Sequence, residues 1–444
     1  MSSTSAGRHR KPKPSSVAVR RALVVAAAAP AAAAMLVGQG SAYAADKSVG
    51  VSAPDRAPDA ADQQIAKNLD ARVQDPRLLG SSLSGIVVDA QSGQEVWGHG
   101  ATTTLMPASN MKIATSTAAL TVLGPDHRFT TKVVYGHGTL TLVGGGDRVL
   151  STAELTALAK TAVAGLKHAG VTSVKVHVDD SLFPKPTLAT GWNSGYYDGS
   201  TVAPVRALVV DGHNVMDTSV DAGQVFARQL AAQGVTVTGG VAHGQATSSD
   251  VPVAVHNSPT LSAIVEQMLT TSDSNIGETL LRMTALGAGR QATFEDGTAV
   301  VRQVLSHVYG ISLENFQIYD GSGLSRSDRV SAATLANILE VDSDPRYSRV
   351  LEPIIEGLPV AGDAGGTLST ALGRFTTPQS KCAVGKVMAK TGTLTGAIAL
   401  SGLTKGEDGR WKIFSFVENG GTAATMDIRH AFDGLAATVN GCWA

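Results

Sequence analysis

Several kinds of chemistry find no footing in this 444-residue chain. Its 11 histidines form no His-Glu-x-x-His, and no Walker sequence is present, so zinc-hydrolase and phosphate-loop readings are weak. Gly144-Gly145-Gly146-Asp147 shares only its glycines with a phosphate loop. No Lys-Ser/Thr follows it, and it reads as a tight turn. No metal or cofactor is expected. Beyond residue 44 no segment is a plausible transmembrane helix. Basic charge is also short: removing residues 1–44 leaves 30 basic and 37 acidic residues, a net of −7. Without a local basic patch such a chain is a poor nucleic-acid binder.

The first 44 residues differ from the rest. Arg8, Arg10, Lys11, Lys13, Arg20 and Arg21 precede an Ala/Val run over 22–37, and Ala42-Tyr43-Ala44 follows. Basic, apolar and A-x-A regions in that order read as an export signal cleaved after Ala44. The apolar run is 16 residues long and interrupted by Pro30, too short to span a bilayer comfortably. An extracytoplasmic protein with two cysteines invites one disulfide, Cys382–Cys442, the alternative being two unpaired buried thiols.

What is present centres on Met106-Pro107-Ala108-Ser109-Asn110-Met111-Lys112. Pro107 suits a helix start, and the apolar run through Leu120 continues the helix. Residues three apart share a helix face, so the Lys112 amine reaches the Ser109 hydroxyl. An amine with a lowered pKa can take that proton, and the helix start offers N–H groups to an oxyanion.

Patterning places strands at 83–89 and 95–97 before this helix. From about 128 to 256 short strands (132–135, 139–143, 173–178, 235–238) alternate with helices. One helix opens on the capping box Ser151-x-x-Glu154 and another runs over 221–234. Helices follow at 258–270, around Glu278, at 298–307 and at 331–340. Strands at 386–389, 397–403 and 411–417 and a helix at 424–439 close the chain. The expectation is an α+β fold: an antiparallel sheet flanked by helices, in segments 45–124 and 257–444. A long α+β insertion of one or two small domains occupies 125–256.

Three polar clusters stand in order: Ser109-x-x-Lys112, Ser272-Asp273-Ser274-Asn275 and Lys390-Thr391-Gly392-Thr393. Acyl transfer needs a nucleophile, a proton relay, an oxyanion hole and a hold on the substrate. Ser109 and Lys112 supply the first, and Ser272 is placed to relay a proton. Lys390 at a strand end would bind a substrate carboxylate and help to depress the Lys112 pKa. Gly392 would let a substrate backbone approach, and the Ser109 and Thr393 N–H groups would form the oxyanion hole.

This triple set resembles that of penicillin-binding proteins and class A β-lactamases. With Asp320-Gly321-Ser322-Gly323-Leu324-Ser325 and the 159 residues between Lys112 and Ser272, the chain looks like the D-alanyl-D-alanine carboxypeptidase/endopeptidase family. The resemblance implies a serine β-lactamase/DD-transpeptidase-like domain acting on peptidoglycan stem peptides, with β-lactams as inhibitors. A β-lactamase-like hydrolase and a non-catalytic penicillin- or peptidoglycan-binding protein are the alternatives. One departure stands out. The family pattern is Ser-Asp-Asn, whereas here Ser274 holds the third position and Asn275 follows. Glu278 keeps its spacing from Ser272, so the expected register has Ser272 as relay. Ser274 then holds substrate, and Asn275 bends back to assist.

Overall fold

The computed structural model describes residues 59–75, 79 and 82–443. The expected export segment and its cleavage site lie outside them. Among the described residues no helix is long and apolar enough to cross a membrane.

Helix α1 (Ala60–Arg72) starts on Asp59, whose carboxylate accepts the Asp62 N–H, as an N-cap should. Strands β1 (Ser82–Asp89), β2 (Glu95–His99) and β3 (Thr104–Leu105) follow. A 3-10 turn, Ala108–Asn110, then leads into α2 (Met111–Leu123). The chain next leaves for a second body. This holds β4 (Thr130–Gly136), β5 (Thr139–Val143), α3 (Thr152–His168), β6 (Ser173–Asp179), α4 (Thr218–Ala232), β7 (Thr236–Val237), β8 (Ala242–His243) and β9 (Val251–Asn257). It returns through α5 (Leu261–Thr271), α6 (Ser274–Gly287), α7 (Phe294–Gln303), β10 (Val330–Ser331), α8 (Ala332–Ser343) and α9 (Ser348–Glu356). Strands β11 (Met388–Leu394), β12 (Ala397–Lys405) and β13 (Trp411–Asn419) and helix α10 (Thr425–Val439) end it.

The first and last parts share one antiparallel sheet, in the order β11-β12-β13-β1-β2. Side chains alternate across a strand, and here both faces are covered. Ile86, Val88, Ile413 and Val417 enter the core made with α2 and α5 to α9. Val87, Phe414 and Phe416 point the other way, onto Ile65 and Leu69 of α1 and Phe432 and Leu435 of α10. Losing one such aromatic, as in Phe416→Ala, costs about 3–5 kcal/mol. Helix α2 is buried on every side from Met111 to Leu120, which explains its apolar character all round. Its hydroxyls are satisfied internally: Ser116 donates to the Lys112 carbonyl and Thr115 to the Gly321 carbonyl, each at 2.7 Å.

The second body is a mixed sheet, β7-β6-β5-β4-β9 with β8 beside β6, and it has its own core under α3 and α4. Pro252 hid β9 in the sequence, because proline argues against a central strand. The strand lies at the sheet's edge, where proline is tolerated, and its pairing slips near that residue. Pro353 inside α9 masked that helix in the same way. The triple glycine is a turn packed on its surroundings: a Cβ on Gly145 would lie 2.0 Å from the Thr130 carbonyl oxygen, and one on Gly146 2.5 Å from Met283 Sδ.

Two expectations change. The strand does not end at Ala389. Pairing continues from Met388 opposite Leu403 to Leu394 opposite Ala397, so Lys390-Thr391-Gly392-Thr393 lies within β11. Cys382 and Cys442 are free thiols, the first exposed and the second buried. Burial, then the neighbouring Cys382 thiol, push the Cys442 thiol up to about 12. The two side chains are thus adjacent without an S–S bond.

Candidate active site

Three elements converge: the Ser109 turn, the junction of α5 with α6, and the edge strand β11. Ala108 has φ +47°, a left-handed conformation that costs a non-glycine residue energy. It turns the chain so that Ser109 stands partly exposed at the head of α2, while Lys112 one turn later is fully buried. Gly323 fits under this turn, where a Cβ would come 1.9 Å from the Ala108 carbonyl oxygen.

Lys112 Nζ donates to three oxygens: Ser109 Oγ at 3.0 Å, Ser274 Oγ at 3.3 Å and the Ser322 carbonyl at 2.8 Å. Ser272 is not among them. Burial drives the Lys112 pKa down to about 8, against the opposing pull of Asp320, Glu278 and Asp273. Desolvation is the leading cause, and the repulsion between the Lys112 and Lys390 charges falls on Lys390.

Ser272 ends α5 with φ +60°, which aims its side chain at β11. Lys390 Nζ donates to Ser272 Oγ at 2.8 Å and to the Thr391 carbonyl at 2.9 Å. Lys390 is also fully buried. Burial first, then the charge of Lys112, hold its pKa well below the usual lysine value. The Asp273 carboxylate is engaged as the cap of α6, accepting from the Asn275 and Ile276 N–H groups. Ser274, not Asn275, faces Lys112. Asn275 does not bend back: its Oδ1 accepts the Ala203 N–H at 2.8 Å. Helical geometry explains this, since consecutive residues point about 100° apart, so Ser274 and Asn275 cannot both face the lysine.

Gly392 has a different reason from the one expected. A Cβ there would lie 2.7 Å from the Pro107 carbonyl oxygen and 2.8 Å from Asn110 Nδ2. The backbone it admits is that of the Ser109 turn itself. Thr391 exchanges a 2.7 Å hydroxyl bond with Thr367, and Thr393 Oγ1 accepts from Arg429 Nη2 at 3.0 Å. Within the sheet β11 pairs with β12 alone. On its other side Val360 bridges Met388 and Ala389 N donates to the Pro359 carbonyl, while from Lys390 to Leu394 that edge pairs with no strand among the described residues, as an added peptide strand requires.

Sequence reasoning missed the layer beneath. Glu278 accepts the Gly321 and Ser322 N–H groups, and burial raises its pKa to about 8. Asp320 accepts from Trp192 Nε1, Gly323 N and Ser325 N, each at 2.7 Å. Together they shape the loop that presents the Ser322 carbonyl to Lys112. Asp320-Gly321-Ser322-Gly323 was visible as a motif, but no pattern assigned it this task. Nothing in the sequence marked Arg429. Asp59, Asp62 and Asp408 gather closely enough to suggest a metal. Lys412 Nζ, however, donates to Asp62, Asp89 and Asp408, and this ammonium fills the space between the carboxylates.

The fold is shared with a solved penicillin-binding protein. The crystal structure of penicillin-binding protein 4 from Haemophilus influenzae superposes with a TM-score of 0.70 over 83% of this chain and 99% of that one, at 22% identity. The same protein has been solved with a β-lactam bound. The chain belongs to the D-Ala-D-Ala carboxypeptidase 3 (S13) family, whose model matches residues 65–218 and 212–439; it is a serine-type peptide hydrolase. Carboxypeptidase DacB of Mycolicibacterium smegmatis is 32% identical over 401 residues, covering 85% of this chain and 84% of that one. A D-alanyl-D-alanine carboxypeptidase of an Actinomadura species is 28% identical over 80% of this chain and 81% of that one.

Proposed function

We propose that this carboxypeptidase releases the terminal D-Ala of peptidoglycan stem peptides through an acyl-enzyme on Ser109, outside the cytoplasmic membrane, and that β-lactams acylate the same serine. The observation that carries the reading is the buried Lys112 amine, 3.0 Å from Ser109 Oγ with its pKa brought down to about 8. In its neutral form Lys112 takes the Ser109 proton as Oγ bonds to the scissile carbonyl carbon. The oxyanion is received by the Ser109 and Thr393 N–H groups. The C–N bond then breaks, and the proton passes to the leaving amine through the hydroxyls of the Ser272–Ser274 turn. Ser274 is the hydroxyl at Lys112, and Ser272 is the one at Lys390. Water then gives a proton to neutral Lys112 as its oxygen bonds to the ester carbon, the bond from that carbon to Ser109 Oγ breaks, and Lys112 passes the proton to Oγ, which frees Ser109.

Lys390 serves the free carboxylate at the leaving end, with Arg429 as a second cation bonded to Thr393 at the same strand. An arriving carboxylate would restore the charged form that burial disfavours in Lys390. The basic and apolar segments of residues 1–44 support export. The β-lactam part of the reading draws on the fold shared with a protein that has been solved with one bound.

The test is intact-protein mass spectrometry after incubation with a penicillin. The wild type should gain the penicillin mass on a peptide containing Ser109, and Ser109→Ala should gain none. An adduct mapped to another serine in the variant would overturn the assignment.

A further inference from the structure

One cavity takes no part in the chemistry above. It measures about 940 Å³, ample for a ligand of several rings. The chain leaving β6, the 204–206 segment, the start of α4 and the end of β8 enclose it. Its walls have two characters. Phe183, Tyr197, Pro204 and Met216 are apolar, with Met216 64% exposed. Opposite them is a tied polar group. Asp180 Oδ2 accepts from Arg206 Nη1 at 2.8 Å and from Ser219 Oγ at 2.7 Å. Asp217 Oδ2 meets His243 Nε2 at 2.8 Å, and His243 Nδ1 lies 3.4 Å from Asp180 Oδ1. Arg206 Nε is buried with no hydrogen-bond partner among the described residues.

We infer that this cavity binds an oligosaccharide, the glycan strand that carries the stem peptides. The identity of that glycan rests on the function proposed above. Carboxylates offer several lone pairs each and guanidinium several donors, so a rigid Asp–Arg–His group suits sugar hydroxyls and acetamido groups, which both donate and accept. The apolar wall suits the C–H faces of pyranose rings. Asp179, Asp180 and Asp217 outnumber Arg206 and Lys185 on the lining, which disfavours a polyanion.

The cavity is also tied to the catalytic centre. Pro204 and Arg206 line it, while Ala203 beside them holds Asn275, the neighbour of Ser274. Tyr197 packs edge-on against Trp192, with centroids 6.2 Å apart, and Trp192 donates to Asp320 beneath Lys112. A glycan seated here would raise the local concentration of its own peptide at Ser109.

The test titrates the wild type with a peptide-free trimer of β-1,4-linked N-acetylglucosamine, by calorimetry and by protein NMR. The same preparation is assayed on a soluble D-Ala-D-Ala pentapeptide and on intact peptidoglycan. Two variants accompany it. Ser181→Trp, at an exposed lining position, narrows the mouth, and His243→Ala opens the polar group. Both should keep wild-type melting temperature and pentapeptide turnover within twofold, bind the trimer at least tenfold more weakly, and release D-Ala from intact peptidoglycan at least fivefold more slowly. No trimer binding by the wild type, trimer binding unchanged in Ser181→Trp, or equal losses on peptide and polymer would each overturn the inference. Failure of the wild type to cleave the pentapeptide, with trimer binding at the cavity intact, would sink the proposed reaction and leave the sugar site standing.

Discussion

The pH dependence of acylation follows directly from the burial of Lys112. With its pKa lowered to about 8, roughly 1% of the amine is neutral at pH 6, about 10% at pH 7 and half at pH 8. Only the neutral form takes the Ser109 proton. The second-order rate of acylation should therefore climb about tenfold per pH unit below 7, gain roughly 50-fold between pH 6 and pH 8, and level off near pH 9. A solvated lysine would keep the rate climbing to about pH 10.4. The assay is stopped-flow acylation by a fluorescent penicillin from pH 5.5 to 9.5 at constant ionic strength. Lys112→Arg is the control, because a guanidinium has no neutral form in this range. It should lose about 10²–10⁴-fold in rate and show no rise with pH. A flat wild-type profile, a midpoint above 9.5, or Lys112→Arg keeping more than a tenth of the rate would refute the reasoning.

Other outcomes test the neighbours of this lysine. Ser272→Ala should cut acylation severely, whereas Asn275→Ala should leave the chemistry mostly intact and lower stability by about 1–3 kcal/mol, the cost of orphaning the Ala203 N–H; steady-state kinetics and urea unfolding separate the two, and the reverse order would show that the second motif is misplaced. Gly392→Ala should push β11 off the Ser109 turn and slow acylation by about 10²-fold at unchanged melting temperature; near-wild-type kinetics would mean that the 2.7 Å approach to Pro107 relaxes freely. Lys412→Met leaves three aspartates without their shared cation, and urea unfolding should show about 3–5 kcal/mol lost near neutral pH. Contact with Asp62, Asp89 and Asp408 raises the Lys412 pKa, so its contribution is complete below the unfolded value and disappears as pH rises through the folded one. Asp89 is shifted down, so its share fades as pH falls through its folded value; a deficit that does not vary with pH would contradict the ion-pair account.

Much of the catalytic cleft was legible in the sequence because the information is local. Ser109 and Lys112 are three residues apart on one helix, and helical periodicity alone brings the amine to the hydroxyl. For the second motif the spacing of Ser272 and Glu278 suggested a register, and the direction of each side chain was not readable. A left-handed residue at Ser272 and a 100° step per helical residue sent Ser272 to Lys390, Ser274 to Lys112 and Asn275 away to Ala203. The capping box at Ser151 was readable for the same local reason, whereas Pro252 and Pro353 concealed β9 and α9. Whether a proline is tolerated depends on which side of a strand or turn of a helix is otherwise unpaired.

By itself the sequence determined most strands of the first sheet, the apolar helix after Ser109 and the order of the three polar clusters, because periodicity and spacing are properties of the chain. Only the tertiary structure decided what acts on each group. Burial, which depends on every element packed around α2, is the leading cause of the lowered Lys112 pKa. Gly392 is required by the Ser109 turn across the cleft, a contact between residues 285 apart from Pro107 in sequence. The carboxylate layer of Glu278 and Asp320, the approach of Arg429 to Thr393 and the sugar-sized cavity all join distant segments. Such contacts leave no periodic trace, since they arise when separate cores pack together and not from any single element.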